Sequence, residues 1–265
     1  MTNDNAIILY NTQVSATCFR MGIACDSLFE KAVPGQFVMV GVAQKMVPLL
    51  RRPFSIHRLK VQNGTVTAIE ILYKVVGKST QLLASLKEGD AITMMGPLGR
   101  GFRVKAAYRR SILVGGGIGI APLCFLGDSL KAVQSDLSSH LALIGGRSAE
   151  DVLCRGEMAD LGLGVSIATD DGSAGRKGLV TVLLSEAISE HRPDMIYACG
   201  PHPMLKAVAA IAETHGIACQ LSIETMMACG MGACLACAVP ARKTPDTYLH
   251  ACINGPVFDS KDIVL

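Results

Sequence analysis

Four cysteines near the end of the chain constrain its fold more than any other feature. Cys229, Cys234 and Cys237 lie within nine residues, and Cys252 follows them, so the spacing is C-x4-C-x2-C-x14-C. The first three match the spacing of plant-type 2Fe–2S ferredoxins, in which thiolates hold the irons. A loop around such a cluster needs residues that tolerate positive φ, and two glycines separate the first two cysteines. The pattern therefore predicts a loop wrapped around a metal centre.

A zinc site with four cysteine ligands is the main alternative, and a set of unligated core cysteines is the other. Structural zinc sites usually draw their ligands from two short C-x2–4-C pairs. Here three cysteines are crowded together and the fourth is distant. This arrangement favours a 2Fe–2S cluster over zinc, with Cys229, Cys234, Cys237 and Cys252 as the metal ligands.

Composition and charge narrow the class of protein. The chain has 265 residues, half of them apolar, which is enough for one or two domains and a small appendage. The formal net charge of +3 is too small to indicate a nucleic-acid partner. The most apolar run, residues 112–126, is broken by four glycines and a proline, so we expect no membrane span.

The ten cysteines do not predict a disulfide scaffold. The first residues lack the basic and apolar segments of a secretory signal, which indicates a reducing, cytoplasmic setting. Five cysteines are therefore expected to be small core hydrophobes: Cys18, Cys25, Cys124, Cys154 and Cys219.

The first hundred residues predict a small antiparallel β-barrel. Apolar and polar residues alternate over 6–10, 36–40 and 65–72, as in half-buried strands. Asn63-Gly64 between two such runs is a strong hairpin signal. Many short strands with a single helical pattern are typical of a barrel.

Two stretches of this barrel have the chemistry of a cofactor site. The first, at the end of a predicted strand, supplies a guanidinium that can grip a diphosphate, a rigid main chain, a ring and a hydroxyl. Its residues are Arg52, Pro53, Phe54 and Ser55. The second runs into a predicted helix start, where unpaired N–H groups favour a phosphate. Its residues are Leu72, Tyr73, Lys74, Gly77, Ser79 and Thr80. Taken alone, these stretches could also be a basic turn and a simple helix N-cap.

From residue 111 onward, the pattern changes to strands alternating with helices. A buried strand at 112–114 ends in a glycine-rich turn and then an apolar helix, which is the context of dinucleotide binding. The turn reads G-x-G-x-x-P, and its candidate ligand-binding residues are Gly115, Gly117, Gly119 and Pro122. Continued alternation predicts a parallel, doubly wound sheet.

A turn after a later strand, at Cys199, Gly200 and Pro201, supplies a second part of this nucleotide site. Ligands collect at the carboxyl ends of parallel strands, so we expect this turn and the glycine-rich turn to face one crevice. Gly200 would let a nicotinamide ring approach closely. Cys199 either contacts that ring or fills a small buried space, and His202 is expected to begin a helix. No acid–base or nucleophile constellation is present, so no catalytic side chain is assigned.

In this order, the motifs R-P-x-S, G-x-G-x-x-P and C-G-P-x-P-M-L resemble the ferredoxin–NADP reductase superfamily. The tail reads E-x-x-M-A-C-G-x-G-A-C-x-x-C, with a last cysteine and then N-G-P-V-F, and it resembles the electron-transfer subunits of type B dihydroorotate dehydrogenase. The resemblance implies an FAD-binding β-barrel (1–104), an NAD-binding α/β domain (105–221) and a small C-terminal 2Fe–2S domain (222–265).

The resemblance also implies a function and a partner. Electrons would pass from a separate FMN-containing catalytic subunit, which oxidises dihydroorotate to orotate in pyrimidine biosynthesis, through the cluster and FAD to NAD+. The complex would contain two copies of each subunit. An NAD(P)H–ferredoxin or sulfide-type reductase subunit of the same superfamily is the alternative, and a zinc-stabilised regulatory module is an alternative of a different class.

Some residues depart from the family pattern or leave a choice open. Ser79 stands where the family often has glycine, and Met226 where it often has arginine. Arg147 with Ser148 could hold the 2′-phosphate of NADP, whereas the acidic residues at 150, 151, 170 and 171 would repel it. Since the acids outnumber the arginine, we predict a preference for NAD.

Overall fold

The computed structural model describes residues 2–42 and 50–265. The antiparallel strands of the N-terminal part close into a barrel, with the neighbour order β1-β2-β5-β4-β3-β6. These strands are β1 (Thr2–Gln13), β2 (Cys18–Ala24), β3 (Phe37–Val42), β4 (Arg52–Gln62), β5 (Thr65–Lys74) and β6 (Ala91–Leu98), and α1 (Lys78–Ala84) lies between the last two. The predicted barrel is confirmed.

The hairpin between β4 and β5 shows how local residues set the barrel's register. Asn63 and Gly64 have φ values of 51° and 79°, the left-handed conformations that a tight two-residue turn requires. The turn places Gln62 opposite Thr65, and farther along the ladder Ile56 lies opposite Ile71. Both isoleucines are completely buried in the barrel core.

The second part of the chain forms a seven-stranded sheet with the order β10-β9-β8-β7-β11-β12-β15. Its strands are β7 (Ser111–Gly116), β8 (Leu141–Gly146), β9 (Gly164–Thr169), β10 (Arg176–Lys177), β11 (Met195–Cys199), β12 (Ala218–Ser222) and β15 (Val257–Asp259). The accompanying helices are α2 (Ala121–Val133), α3 (Arg155–Asp160), α4 (Val180–Glu190) and α5 (His202–Thr214). All strand pairs are parallel except β12 with β15, so the predicted doubly wound sheet is confirmed.

The cysteine-rich segment leaves this sheet after β12 and returns to it at β15. It contains a short antiparallel pair, β13 (Ala238–Pro240) and β14 (Tyr248–His250). Its core is continuous with that of the parallel sheet, because Cys237, Val239 and Ala251 belong to the same buried cluster as Leu221. The segment therefore packs on the sheet rather than standing apart from it.

Three of the five cysteines that we expected in the core are buried, namely Cys18, Cys124 and Cys219, whereas Cys25 and Cys154 are half-buried. All ten cysteines are free thiols. Within residues 2–42 and 50–265, no helix is long and apolar enough to cross a membrane.

Candidate functional site: two adjoining cavities and a cysteine loop

A cavity of about 560 Å³ lies between the barrel and the parallel sheet. The barrel contributes β4, the end of β5 and the start of α1, and the sheet contributes the turns at the carboxyl ends of its strands. It is lined by most of the predicted cofactor residues, namely Arg52, Pro53, Phe54, Ser55, Leu72, Tyr73, Lys74, Gly77, Ser79, Thr80, Gly119, Pro122 and Cys199. Residues that are far apart in the sequence therefore line one cavity.

The R-P-x-S motif begins β4 rather than ending a strand, so the predicted position of the motif was wrong. Residues 52–55 pair with β3 only, and pairing with β5 starts at Ile56. One edge of this main chain thus lacks a neighbouring strand, which tolerates Pro53 and leaves main-chain groups available to a ligand. Within the part of the chain that the structure describes, the guanidinium of Arg52 donates to two carbonyl oxygens, those of Leu50 at 3.2 Å and Arg51 at 3.5 Å.

Tyr73 anchors the aromatic part of the cavity wall. Its ring meets Phe54 edge-on at 5.7 Å between centroids and stacks on Phe19 at 5.8 Å. Its hydroxyl donates to Asn11 Oδ1 at 3.0 Å, and burial raises its pKa to about 12. The hydroxyl therefore stays protonated, and the ring is held rigidly for packing against a flat ligand.

Thr80 orders the turn that precedes α1. Its hydroxyl accepts hydrogen bonds from the N–H groups of Val76 at 2.9 Å and Gly77 at 3.1 Å, and it donates to the Gly77 carbonyl at 3.0 Å. Its hydrogen-bonding capacity is used within the chain, so its role is to shape the turn. Ser79, the departure from the family pattern, lines the cavity beside it.

A second cavity of about 570 Å³ adjoins the first and lies at the carboxyl edge of the parallel sheet. The predicted residues Gly117, Gly119, Gly200 and Pro201 line it. A Cβ on Gly119 would lie 2.4 Å from the Cys199 carbonyl oxygen, so only glycine lets the two turns pack together. Their meeting confirms that the turns after β7 and β11 face one crevice. Gly115 lies at the end of β7 and lines neither cavity.

An ion-pair group that the sequence did not predict lies where the barrel meets the second cavity. Lys74 Nζ lies 2.8 Å from Asp151 Oδ1, and Arg147 Nε lies 3.0 Å from Asp151 Oδ2. Burial disfavours the charged form of Asp151, but the bonds from Lys74 and Arg147 lower its pKa overall. One of the carboxylates that we counted against NADP is thus neutralised within the protein. Asp170 and Arg147 also line this cavity.

Four residues line both cavities: Lys74, Ile118, Gly119 and Glu224. A ligand ring in one cavity can therefore reach a ligand ring in the other. Glu224 and Thr225 were not assigned from the sequence, although Glu224 begins the E-x-x-M stretch. Their place in the sequence could have indicated a site role, since they lie just after the last parallel strand, β12, and before the cysteine loop.

The four C-terminal cysteines lie in two pairs. Cys237 Sγ and Cys252 Sγ are 3.2 Å apart, and the Cys234 N–H lies 3.4 Å from Cys229 Sγ. Cys237 and Cys252 are buried, Cys229 is half-buried and Cys234 is exposed. The set is thus buried on one side and open to solvent on the other.

The loop directs main-chain N–H groups at the sulfurs. Hydrogen bonds from the N–H groups of Cys234 and Met231 lower the pKa of Cys229 to about 6, and Gly232 donates to Cys252 Sγ, whose pKa burial raises to about 12. Gly232 has φ 81°, and a Cβ there would lie 1.9 Å from Ile253 Cδ1. Four soft ligands with N–H donors suit an iron–sulfur cluster.

A barrel joined to a doubly wound sheet, with adjoining cavities and a cysteine loop, defines a flavin- and NAD-linked oxidoreductase of the ferredoxin reductase class. A solved structure of an NADH-dependent reduced ferredoxin–NADP oxidoreductase superimposes with a TM-score of 0.84 at 28% identity, covering 98% of this chain and 89% of that one. A ferredoxin NADP+ reductase from Neisseria gonorrhoeae with bound FAD and NADP shares the fold, with a TM-score of 0.64 at 15% identity, covering 81% of this chain and 92% of that one.

Sequence comparison defines the family more narrowly. Residues 224–264 match the iron–sulfur cluster binding domain of dihydroorotate dehydrogenase B, and residues 113–210 match the oxidoreductase NAD-binding domain. The dihydroorotate dehydrogenase B (NAD(+)) electron transfer subunit of Desulforamulus reducens is 37% identical over 98% of this chain and 97% of its own. The same subunit of a Geobacillus strain is 37% identical over the full length of both chains.

The chain belongs to the family of dihydroorotate dehydrogenase B (NAD+) electron transfer subunits. Its cofactors are FAD, a 2Fe–2S cluster and NAD, as the sequence predicted. The chain is an oxidoreductase subunit that works with a catalytic dihydroorotate dehydrogenase B partner.

Proposed function

We propose that the first cavity holds FAD and that the residues predicted from the two barrel stretches bind it. Arg52 would pair with the diphosphate together with Ser79, while Pro53 and Ser55 present the free edge of β4 to the flavin ring. Tyr73 would pack on that ring. The remaining contacts would come from Phe54, Leu72, Lys74, Gly77, Thr80 and Pro122.

The second cavity would bind NAD(H), with the nicotinamide end at the residues common to both cavities. Gly117 and Gly119 would approach the diphosphate, and Gly200 and Pro201 would border the nicotinamide ring. Cys199 lines the first cavity and would contact the flavin side of this junction. Bound FAD supplies the conversion between single electrons from a cluster and the hydride that nicotinamide accepts. The residues shared by the two cavities are the observation that carries this assignment.

Cys229, Cys234, Cys237 and Cys252 would be the ligands of the 2Fe–2S cluster. Met227 joins this loop to the flavin site, because it lies two residues before Cys229 and lines the first cavity. The proposed order of electron transfer is therefore from the cluster to the flavin to NAD+. The units would span 1–104, 105–221 and 222–265.

The FMN-containing catalytic subunit would dock on the exposed side of the cysteine loop, in a complex of two copies of each subunit. Four exposed apolar side chains belong to the cysteine-rich segment, and exposed apolar side chains that form a patch mark protein–protein contacts. They are Met226 (84% exposed), Met231 (56%), Leu235 (56%) and Ile253 (47%). Such a docking site, with free thiols and metal-binding cysteines, fits a reducing cytoplasm.

Reconstitution with the catalytic subunit tests the function. The two chains together should reduce NAD+ with dihydroorotate, whereas this chain alone should only pass electrons from NADH to a dye. Met231→Glu should weaken the complex and slow the coupled reaction while NADH–dye activity is kept. Val61→Glu is the matched control, because Val61 is 60% exposed on the distant β4–β5 hairpin. A native complex containing a ferredoxin or sulfide-linked chain instead would refute the proposal.

A further inference from the structure

A second cluster of metal-ligating side chains lies outside the two cavities and away from the C-terminal cysteines. It joins His57 of β4, Cys124 of α2, and Cys154 and Glu157 at the start of α3. One ligand atom from each residue lies within 4.8 Å of all the others. His57 and Cys124 are completely buried, and Cys154 and Glu157 are half-buried. The cluster spans the contact between the barrel and the parallel sheet.

His57 is oriented as a metal-binding histidine. Its Nδ1 lies 3.0 Å from the carbonyl oxygen of Ala121, so Nδ1 carries the proton and donates it there. That bond leaves the lone pair of Nε2 directed into the cluster, and among the described residues Nε2 has no hydrogen-bond partner although the ring is 0% exposed. A backbone carbonyl that fixes the ring in this way is the usual outer contact of a histidine ligand.

The spacing of the group fits a tetrahedral ion. Nε2 of His57 lies 3.5 Å from Oε2 of Glu157, and within residues 2–42 and 50–265 that oxygen also lacks a hydrogen bond. Nitrogen and oxygen ligands about 2.0–2.2 Å from zinc are separated by about 3.4 Å when the coordination is tetrahedral. The Cys124 and Cys154 sulfurs belong to the same group and lie within 4.8 Å of each other and of the other two ligand atoms. An ion at the centre would satisfy both unpaired atoms.

An ion pair between a cationic His57 and Glu157 is the competing explanation. Glu157 already has two cations beside it, since it pairs with Arg20 and its Oε2 lies 3.4 Å from Arg58 Nη1. A third cation would add repulsion, and at 3.5 Å without a hydrogen bond it would gain little. The ion pair also assigns no role to the two thiols.

We propose that His57, Cys124, Cys154 and Glu157 bind one zinc ion that joins the barrel to the parallel sheet. Two sulfurs, one imidazole nitrogen and one carboxylate oxygen form a ligand set suited to tetrahedral zinc. On binding, the two thiols lose their protons to solvent, and the ion with its three anionic ligands keeps one negative charge. Arg20 and Arg58 lie beside Glu157, and Asp128 pairs with Arg58 Nε at 3.1 Å, so these three side chains together balance that charge. The half-buried Cys154 is on the side from which the ion would enter.

Zinc analysis of the holoprotein tests this assignment. The purified chain, with FAD and cluster loaded, is dialysed against micromolar zinc chloride and then against metal-free buffer. We expect one zinc per chain in addition to two irons. Cys154→Ser should lose the zinc and keep the iron and flavin. Cys25→Ser, which replaces another half-buried cysteine outside the group, should keep all three.

If Cys154→Ser fails to fold, zinc-edge X-ray absorption of the wild-type holoprotein identifies the zinc ligands instead. The proposal expects two sulfurs at about 2.3 Å and two lighter ligands at about 2.0–2.2 Å. A shell of four sulfurs would mean that zinc had entered the C-terminal cysteines. That result, an absence of retained zinc, or equal zinc in wild type and a folded Cys154→Ser would overturn the proposal.

Discussion

Replacing Arg52 with alanine tests the flavin site at the residue where charge matters most. Its guanidinium lines the first cavity, and among the described residues it bonds to the carbonyl oxygens of Leu50 and Arg51 and to no anion. A hydrogen bond to a charged group contributes about 1.5–3 kcal/mol. We therefore expect Arg52→Ala to raise the dissociation constant for FAD roughly tenfold to hundredfold.

The neighbouring arginine provides the control. Arg51 Nε lies 3.1 Å from the hydroxyl of Thr93, and Arg51 does not line the cavity. Fluorescence titration of the flavin-depleted chain, with flavin retention after dialysis, measures the change. Arg51→Ala should bind FAD nearly as the wild type does, and the iron content should be unchanged in both variants. Equal affinities for Arg52→Ala and wild type would show that Arg52 does not hold the diphosphate.

Three further predictions address the other sites. Cys234→Ser should remove or distort the 2Fe–2S resonance in electron paramagnetic spectra while FAD stays bound, and an unchanged resonance would exclude Cys234 as a ligand. The chain should show a higher kcat/KM for NADH than for NADPH in dye reduction, because Asp170 lines the second cavity; a clear NADPH preference would make Arg147 the 2′-phosphate ligand. Asp151 has a lowered pKa in the folded state, so its stabilising effect exists above the ordinary aspartate pKa of about 4 and is lost as pH falls through the lowered value. Asp151→Asn removes the charge that pairs with Lys74, so it should lower the thermal midpoint at pH 7 by about 2–6 °C, for a loss of roughly 1–2 kcal/mol in the free energy of unfolding. If the difference in midpoint between wild type and Asp151→Asn did not shrink toward pH 3, the ion pair would be contradicted.

Features set by local sequence were predictable. The Asn63-Gly64 turn, the strand–turn–helix around Gly117 and the start of α5 at His202 follow from backbone preferences of a few adjacent residues. The contact between Cys229 and Cys234 also follows, because only four residues separate them. Local patterns of this kind need no knowledge of the rest of the fold.

Features that depend on contacts between distant segments were not predictable. The sequence predicts Lys74 as a flavin contact, but its ion pair with Asp151 forms only when the barrel packs on the sheet. Cys124 and Cys154 were predicted to be core hydrophobes, because His57 and Cys124 come close to Cys154 and Glu157 only when β4 and α2 pack against α3. A single sequence carries no signal for such encounters, since each residue is unremarkable in its own segment.

The pairing of β12 with β15 makes the cysteine-rich segment an insertion within a hairpin. Ser222 and Val257 are direct cross-strand partners, and the Ile223 N–H donates to the Pro256 carbonyl at 3.0 Å. The segment thus begins and ends at adjacent points. The hydrogen bonds between β12 and β15, rather than the cluster, therefore offset the entropic cost of closing the loop. The sheet therefore keeps the two ends of the segment together whether or not a cluster is bound.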